Sequence, residues 1–317
     1  MAMNKVQFQP GLSMAQFLDR YGSEAQCEGA LVQSRWPQGF VCAQCGCTAH
    51  SSFVRDERRY WQCRACRHQC SVISGTIFES TKLPLRRWFL AMQLLTQSKN
   101  AISALELRRQ LGVCYKSAWL LKHKLMEVMR LREDTRQLDG RVEIDDAYLG
   151  GECSGGKRGR GSPNKVPFIA AVQTSAQGQP QWVCFAQQEL TKESLGLFAA
   201  KSLATSAQVV SDGLWCFAAV RLIGAGHEPV VTGGGIASVK LPQFRAINTV
   251  LGNLKTALTG TYHAFKFAKY AHRYLADVQY RFNRRFDLSS ILSRLLRAAC
   301  LTSPRTMPVI RMAEDCR

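Results

Sequence analysis

The run VEIDDAYLGG at residues 142–151 sets two adjacent aspartates, Asp145 and Asp146, inside a strand-forming sequence that ends in a glycine turn. Val142, Ile144 and Tyr148 favour a pleated strand, whereas aspartate is a poor strand former, so the pair calls for a functional reason. Downstream, the apolar run QVVS at 208–211 stops at Asp212, which Gly213 follows. Two strands that each deliver a carboxylate to one place make a hard oxygen site suited to Mg2+ or Mn2+, with positions left for water and phosphate. On these two runs alone the aspartates read equally well as solvated strand ends.

Thiols supply a second pattern. Cys42 and Cys45 form one C-x2-C pair, Cys63 and Cys66 another, and seventeen residues separate the pairs. Each pair can direct two thiolates at one ion, so the four complete the closed tetrahedral site of a structural Zn2+. The intervening RDERRYWQ is strand-like and basic, as a zinc-ribbon hairpin would be, and such a ribbon is too small to fold without its metal. Cys47, Cys70, His50 and His68 read as bystanders. Thirteen cysteines in irregular positions, without an export signal, indicate reduced thiols and metal ligands over a disulfide framework.

A formal net charge of +19 over 317 residues implies a polyanionic partner, and nucleic acid is the natural candidate. No apolar run approaches the roughly 18–20 residues of a membrane-spanning helix, and MAMNKVQFQPG lacks a signal-peptide core, so a cytoplasmic chain is expected. The 46% of hydrophobic residues are ample for a packed core.

These candidate ligands need a scaffold. Helices are expected at 14–21 and 24–34, the second capped by Ser23. The stretch from 85 to 132 is helical throughout, with a capping box at Ser103–Glu106, a short helix to Leu111, a break at Gly112 and a longer helix over 116–129. That outline is helix-turn-helix-like, and its second helix would offer Lys116, Ser117 and Lys124 to DNA; any packed helical hairpin gives the same pattern. Strands follow at 142–149, 167–174 and 181–186, then a helix at 192–203, the strand ending at Asp212, a helix from 214, a strand near 229–232 and a helix over 246–258. The order β-β-β-α-β-α-β-α describes an α/β fold, a mixed sheet with helices on its faces, as in ribonuclease-H-like domains. Between the first two of these strands, GGECSGGKRGRGSPNK carries Lys157, Arg158 and Arg160; it is either a plain loop or a basic flap that closes on a phosphate backbone. Lys255, Lys266, Lys269, Arg273, Arg281, Arg284 and Arg285 would add to the positive field, while Phe265, Tyr274 and Phe282 read as core. The expected divisions are N-terminal helices at 1–37, a zinc ribbon at 38–76, a helical DNA-binding region at 77–137, the ribonuclease-H-like domain at 138–262 and basic helices at 263–317.

With the ribbon, the Asp145 strand and the Asp212 strand in this order, the chain resembles the ISXO-like transposases of bacterial insertion sequences over nearly its whole length. The resemblance rests on RWPQGFVCAQCG, SGTIF, KLPLRRWF, IDDAYLGG, SDG, LKTALTGTYH and YLADVQYRFNRRF. It implies a zinc ribbon and helical DNA-binding region before a domain that cuts and joins double-stranded DNA at terminal inverted repeats and target sites. It further implies a homodimer or higher oligomer on DNA, associated with the nucleoid. The first family aspartate falls on Asp145 and the second on Asp212. The helix-borne glutamate, seven residues before Lys255, is replaced by Asn248, and no acid stands between Glu228 and Asp277. The acidic triad thereby becomes Asp-Asp-Asn, whose uncharged third member would hold a second metal more weakly. Glu228 competes for that role on charge alone. Asp146 and Glu143 are expected to support the ligands. The alternatives are a non-catalytic DNA-binding regulator or decayed transposase, and a structure-specific nuclease that does not join DNA.

Overall fold

The structure, a computed structural model, describes residues 6, 8–56, 58–98, 100–150, 165–231, 241–262 and 266–311. It divides into a unit of residues 1–128 with 286–312 and a unit of residues 129–285 with 313–317.

In the first unit, α1 (Met14–Tyr21) and α2 (Glu24–Arg35) each begin with a reciprocal serine–glutamine cap, Ser13 with Gln16 and Ser23 with Gln26. Each cap satisfies orphan N–H donors of a first turn. Strands β1 (His50–Arg55), β2 (Arg58–Cys63) and β3 (Gln69–Ser71) make an antiparallel sheet in that order. Helix α3 (Leu85–Gln97) buries Trp88, Phe89, Met92 and Leu95. Its start lacks a local side-chain cap, and Glu24 supplies one, accepting the Leu85 and Arg86 N–H groups at 2.6 and 3.1 Å. Helix α4 (Ala104–Leu111) ends at Gly112, whose φ of +63° closes the turn through its N–H to the Arg108 carbonyl, and α5 (Tyr115–Glu133) follows.

The second unit is built on a five-stranded mixed sheet. Strands β4 (Arg141–Leu149), β5 (Val166–Thr174) and β6 (Pro180–Gln187) pair antiparallel, while β7 (Gln208–Ser211) and β8 (Gly226–Pro229) add in parallel beyond β4. The order is β6-β5-β4-β7-β8. Strand alternation sends Val142 and Ile144 into an apolar core with Ile169, Ala171, Leu195, Phe198 and Phe217, under α6 (Lys192–Ser202) and a 3-10 helix (Trp215–Ile223). A short 3-10 turn (Pro242–Phe244) leads into α7 (Arg245–Thr259), which packs on β4, β5 and β6. Helix α8 (Phe267–Phe282) covers β6, whose outer N–H groups are taken by side chains: Val183 donates to Asn283 Oδ1 and Phe185 to Gln279 Oε1, both at 2.8 Å. An edge strand is thus closed to further pairing. In the first unit, α9 (Ile291–Leu301) packs on α2 and α3, and α10 (Met307–Arg311) ends the described chain.

Two expected elements differ. The helix from 214 is the tighter 3-10 form. The last strand lies at Gly226–Pro229 rather than 229–232, because pairing begins where Gly226 donates to the Ala207 carbonyl at 2.9 Å, and an edge strand needs no apolar alternation. The apolar Val231 that suggested the later position is 85% exposed, and Thr232 lies outside the described residues.

Candidate metal centres

The four thiols of the C-x2-C pairs converge, with sulfurs within 4.8 Å of one another. Cys42 Sγ lies 3.6 Å from Cys66 Sγ, and Cys45 Sγ 3.5 Å from Cys63 Sγ. Zn–S bonds of about 2.3 Å in a tetrahedron put sulfurs roughly 3.8 Å apart, so the cluster has the size of a zinc site. Both knuckles fold alike. Gly46 N–H donates to Cys42 O and Arg67 N–H to Cys63 O, at 2.9 and 3.1 Å, and both closing residues have positive φ, +72° and +61°. The Cys42 N–H bonds to Cys47 O and the Cys63 N–H to His68 O in the same way. Backbone N–H groups of the turns aim at sulfur: those of Cys66 and Ala65 help push the Cys63 thiol down to about 6, and those of Cys45 and Gln44 lower Cys42. Cys45 receives the Cys47 N–H, yet the neighbouring Cys66 and Cys63 sulfurs push it up to about 12. Such crowding is relieved by a dication that keeps all four ligands deprotonated. Cys47, Cys70, His50 and His68 are outside the cluster, and every described cysteine is free of disulfides.

The second cluster joins Asp145, Asp146 and Asp212, half-buried, with carboxylate oxygens within 4.8 Å of one another. Parallel pairing explains it. Strand β4 runs beside β7 in the register Val142–Val209 and Glu143–Val210, so two residues further on Asp145 comes opposite Asp212. Asp212 heads a turn in which its Oδ1 accepts the Leu214 N–H at 3.0 Å. The turn favours Gly213 because its φ of +84° lies in the left-handed region that side-chain-bearing residues rarely adopt. Asp145 Oδ1 accepts the Asp146 N–H at 2.8 Å. Three carboxylates gathered this closely form a donor set fitted to a hard divalent cation. Asp146, expected only to support the ligands, enters this cluster itself, and Glu228 is not a member.

Glu143 is 2% exposed and turns to the start of α7, its Oε2 accepting the Ile247 N–H at 2.8 Å. Burial pushes its carboxyl above the usual range, opposed by the Ile247 N–H, Arg141 and the Ala246 N–H. Asn248, next to Ile247, is half-buried, and Lys255, two turns on along the same face, is exposed.

The residues expected to meet DNA divide. Lys116 is exposed and Ser117 half-buried, its hydroxyl taking the Cys114 thiol at 3.3 Å. Lys124 is a correction: it is 9% exposed, donates to the Ile77 carbonyl at 3.3 Å, sits 5.8 Å from the Trp88 ring centroid, and burial lowers its pKa. Lys157, Arg158 and Arg160 lie outside the described residues, as does Phe265. Arg284 and Arg285 also turn inward: Arg284 pairs with Glu133 at 2.5 Å, and Arg285 stacks 3.7 Å from the Phe282 ring and donates to the Gln181 carbonyl. Tyr274 is core, as expected. No helix among the described residues is long and apolar enough to cross a membrane.

Residues 137–283 match the family model described as ISXO2-like transposase domain, and residues 22–69 that described as transposase zinc-ribbon domain. Over 147 residues the chain is 29% identical to an uncharacterized protein in transposable element ISH50 of Halobacterium salinarum, an alignment taking in 45% of this chain and 48% of that protein. The match therefore spans about half the length of the curated relative.

Proposed function

Starting from a chain that belongs to the zinc-ribbon, ISXO2-like insertion-sequence transposases, we propose that it binds the terminal inverted repeats of its element and cuts and joins DNA strands there. The observation that carries this reading is the meeting of Asp145 and Asp146, from the middle of β4, with Asp212, just past the end of the parallel strand β7. The strand order, three antiparallel neighbours followed by two parallel ones, supports a ribonuclease-H-like fold for residues 138–262.

In this reading Asp145, Asp212 and Asn248 hold Mg2+ or Mn2+, and Asp146 adds a third carboxylate that offsets the charge missing at Asn248. When bound, the ions would supply Lewis-acid activation of the attacking hydroxyl and stabilise charge on the leaving 3′ oxygen. Asp212 is aimed by its bond to the Leu214 N–H, and Asp145 by the pairing of its strand position with Ala170 of β5. Lys255 on the Asn248 face of α7, with Lys116, Ser117 and the basic residues Lys157, Arg158 and Arg160, would contact phosphates. The ribbon, held by Zn2+ on Cys42, Cys45, Cys63 and Cys66, and the α4–α5 pair would direct docking, with two copies acting on paired ends.

The test is incubation of the zinc-loaded protein with labelled terminal-repeat DNA, with and without Mg2+ or Mn2+. A metal-dependent nick followed by joined product is expected. Binding without cleavage would favour a regulator or decayed transposase, a reading supported only by the uncharged residue at Asn248. Cleavage of branched or unrelated DNA without joining would favour a nuclease.

A further inference from the structure

Helix α7 begins without a cap of its own. Its N-cap residue is Phe244, which makes no side-chain cap bond, and its first turn contains no acid. Ala246 and Ile247 are 1% and 0% exposed, so water cannot serve their N–H groups. Glu143 serves them from the neighbouring strand: Oε2 accepts the Ile247 N–H at 2.8 Å, and the Ala246 N–H bonds to the same side chain. Arg141, two residues earlier on β4, holds the preceding turn, with Nη2 3.0 Å from the Gln243 carbonyl and 3.6 Å from Glu143 Oε1.

The spacing of these contacts ties them to the metal site. Arg141, Glu143 and Asp145 share one face of β4, opposite Val142 and Ile144 in the core. Asp145 is thus the next residue along that face after Glu143, and Asn248 is the residue after Ile247. We propose that Glu143, assisted by Arg141, is a positioning residue that fixes the start of α7 against β4 and so sets where Asn248 stands relative to Asp145. Glu143 lies outside the carboxylate cluster, and its oxygens are engaged by α7 and Arg141. A charged acceptor suits the place, because the helix N-terminus presents buried donors and a positive dipole end to it. Glutamine would keep an acceptor and lose the charge, and alanine would lose both.

This inference rests on the reading of Asp145, Asp212 and Asn248 as metal ligands, and the experiment separates the two. Mn2+ binding by the zinc-loaded full chain is titrated by the loss of the free-ion electron paramagnetic resonance signal, alongside thermal melting and DNA binding in metal-free buffer. Glu143→Ala is expected to weaken Mn2+ binding by about 10–100-fold, the usual cost of removing a partner that orients a ligand. Glu143→Gln should fall between alanine and wild type, and DNA binding should not change. In an Asn248→Ala background the Glu143 substitutions should have almost no further effect, because the ligand they position is gone. Wild-type Mn2+ affinity in Glu143→Ala overturns the proposal, as does an equal loss with and without Asn248. If both Glu143 variants fail to fold, Arg141→Met decides: severalfold weaker Mn2+ binding supports the proposal, and unchanged binding overturns it. Undiminished Mn2+ binding by Asp145→Asn would instead remove the metal-site reading on which the inference stands.

Discussion

Asp145 and Asp212 occupy facing positions two residues beyond the Glu143–Val210 pair of parallel strands β4 and β7, with carboxylate oxygens within 4.8 Å. Backbone pairing of the two strands brings them together, so an isosteric change at either should leave the fold intact. Asp145→Asn or Asp212→Asn is expected to lower strand cleavage by about a thousandfold or more, since metal-mediated charge stabilisation supplies several kcal/mol. In metal-free buffer the same changes relieve repulsion among clustered carboxylates, so the melting temperature should hold or rise. A variant that melts lower yet cleaves like wild type contradicts the assignment.

The ribbon should stand or fall with its metal. Its strands are six, six and three residues long, too little to bury a core without a cross-link. Cys63→Ser is expected to purify without stoichiometric zinc, and chelation of wild type should expose the Cys42, Cys45, Cys63 and Cys66 thiols to a chromogenic disulfide reagent. Structural zinc contributes on the order of 10 kcal/mol to such folds, so partial retention of ribbon structure in the metal-free protein would argue against the site.

Two lysines on α5 should behave differently. Lys116→Ala is expected to weaken DNA binding and reduce the salt slope by about one, as removal of one phosphate contact does. Lys124→Met should leave the slope unchanged and affect melting only, because the native ammonium is held at the Ile77 carbonyl. Equal slopes for Lys116→Ala and wild type would remove Lys116 from the DNA interface.

Features encoded within a few residues were legible in the chain itself. The C-x2-C knuckles are local turns, so spacing alone specified the sulfurs that meet, and Asp145 within its strand and Asp212 at the end of another were marked by residue type. Partners far apart in sequence were not legible. Arg284 adds to a count of positive charge, yet its partner Glu133 lies 151 residues away, and Glu143 meets Ile247 across 104 residues. Lys124 looked like a surface lysine on a helix whose apolar face is Leu121, Leu125 and Val128; its burial follows from Ile77 and Trp88, on other elements.

The Glu133 cluster gives a stability prediction of its own. Glu133 accepts Arg284 Nη1 at 2.5 Å and Asn283 Nδ2 at 2.6 Å, while Arg284 lies 3.5 Å from the Tyr280 ring centroid, all buried. Glu133→Ala leaves a buried guanidinium without its counter-charge and should cost about 3–5 kcal/mol, read by chemical denaturation. Adding Arg284→Leu should recover part of that loss. If Arg284→Leu alone weakened DNA binding while leaving stability intact, its inward role would be wrong.

Asn248 is where charge should be tunable. An aspartate there would sit in the first turns of α7, favourable to the helix dipole, but next to Ile247, whose N–H the buried Glu143 carboxylate holds, and, if it joins the proposed site, it adds a negative charge to three carboxylates. In metal-free buffer Asn248→Asp should therefore melt lower than wild type. With Mg2+ the order should reverse, since ligand charge tightens divalent binding, and half-maximal cleavage should need about tenfold less Mg2+, roughly 1.4 kcal/mol. Asn248→Ala should shift the requirement in the opposite direction. Were Glu228 the third ligand, Asn248→Asp would leave the Mg2+ requirement where it was and Glu228→Gln would raise it. Glu228 is exposed on edge strand β8 and outside the carboxylate cluster, so the expected result is that only the Asn248 changes move the curve.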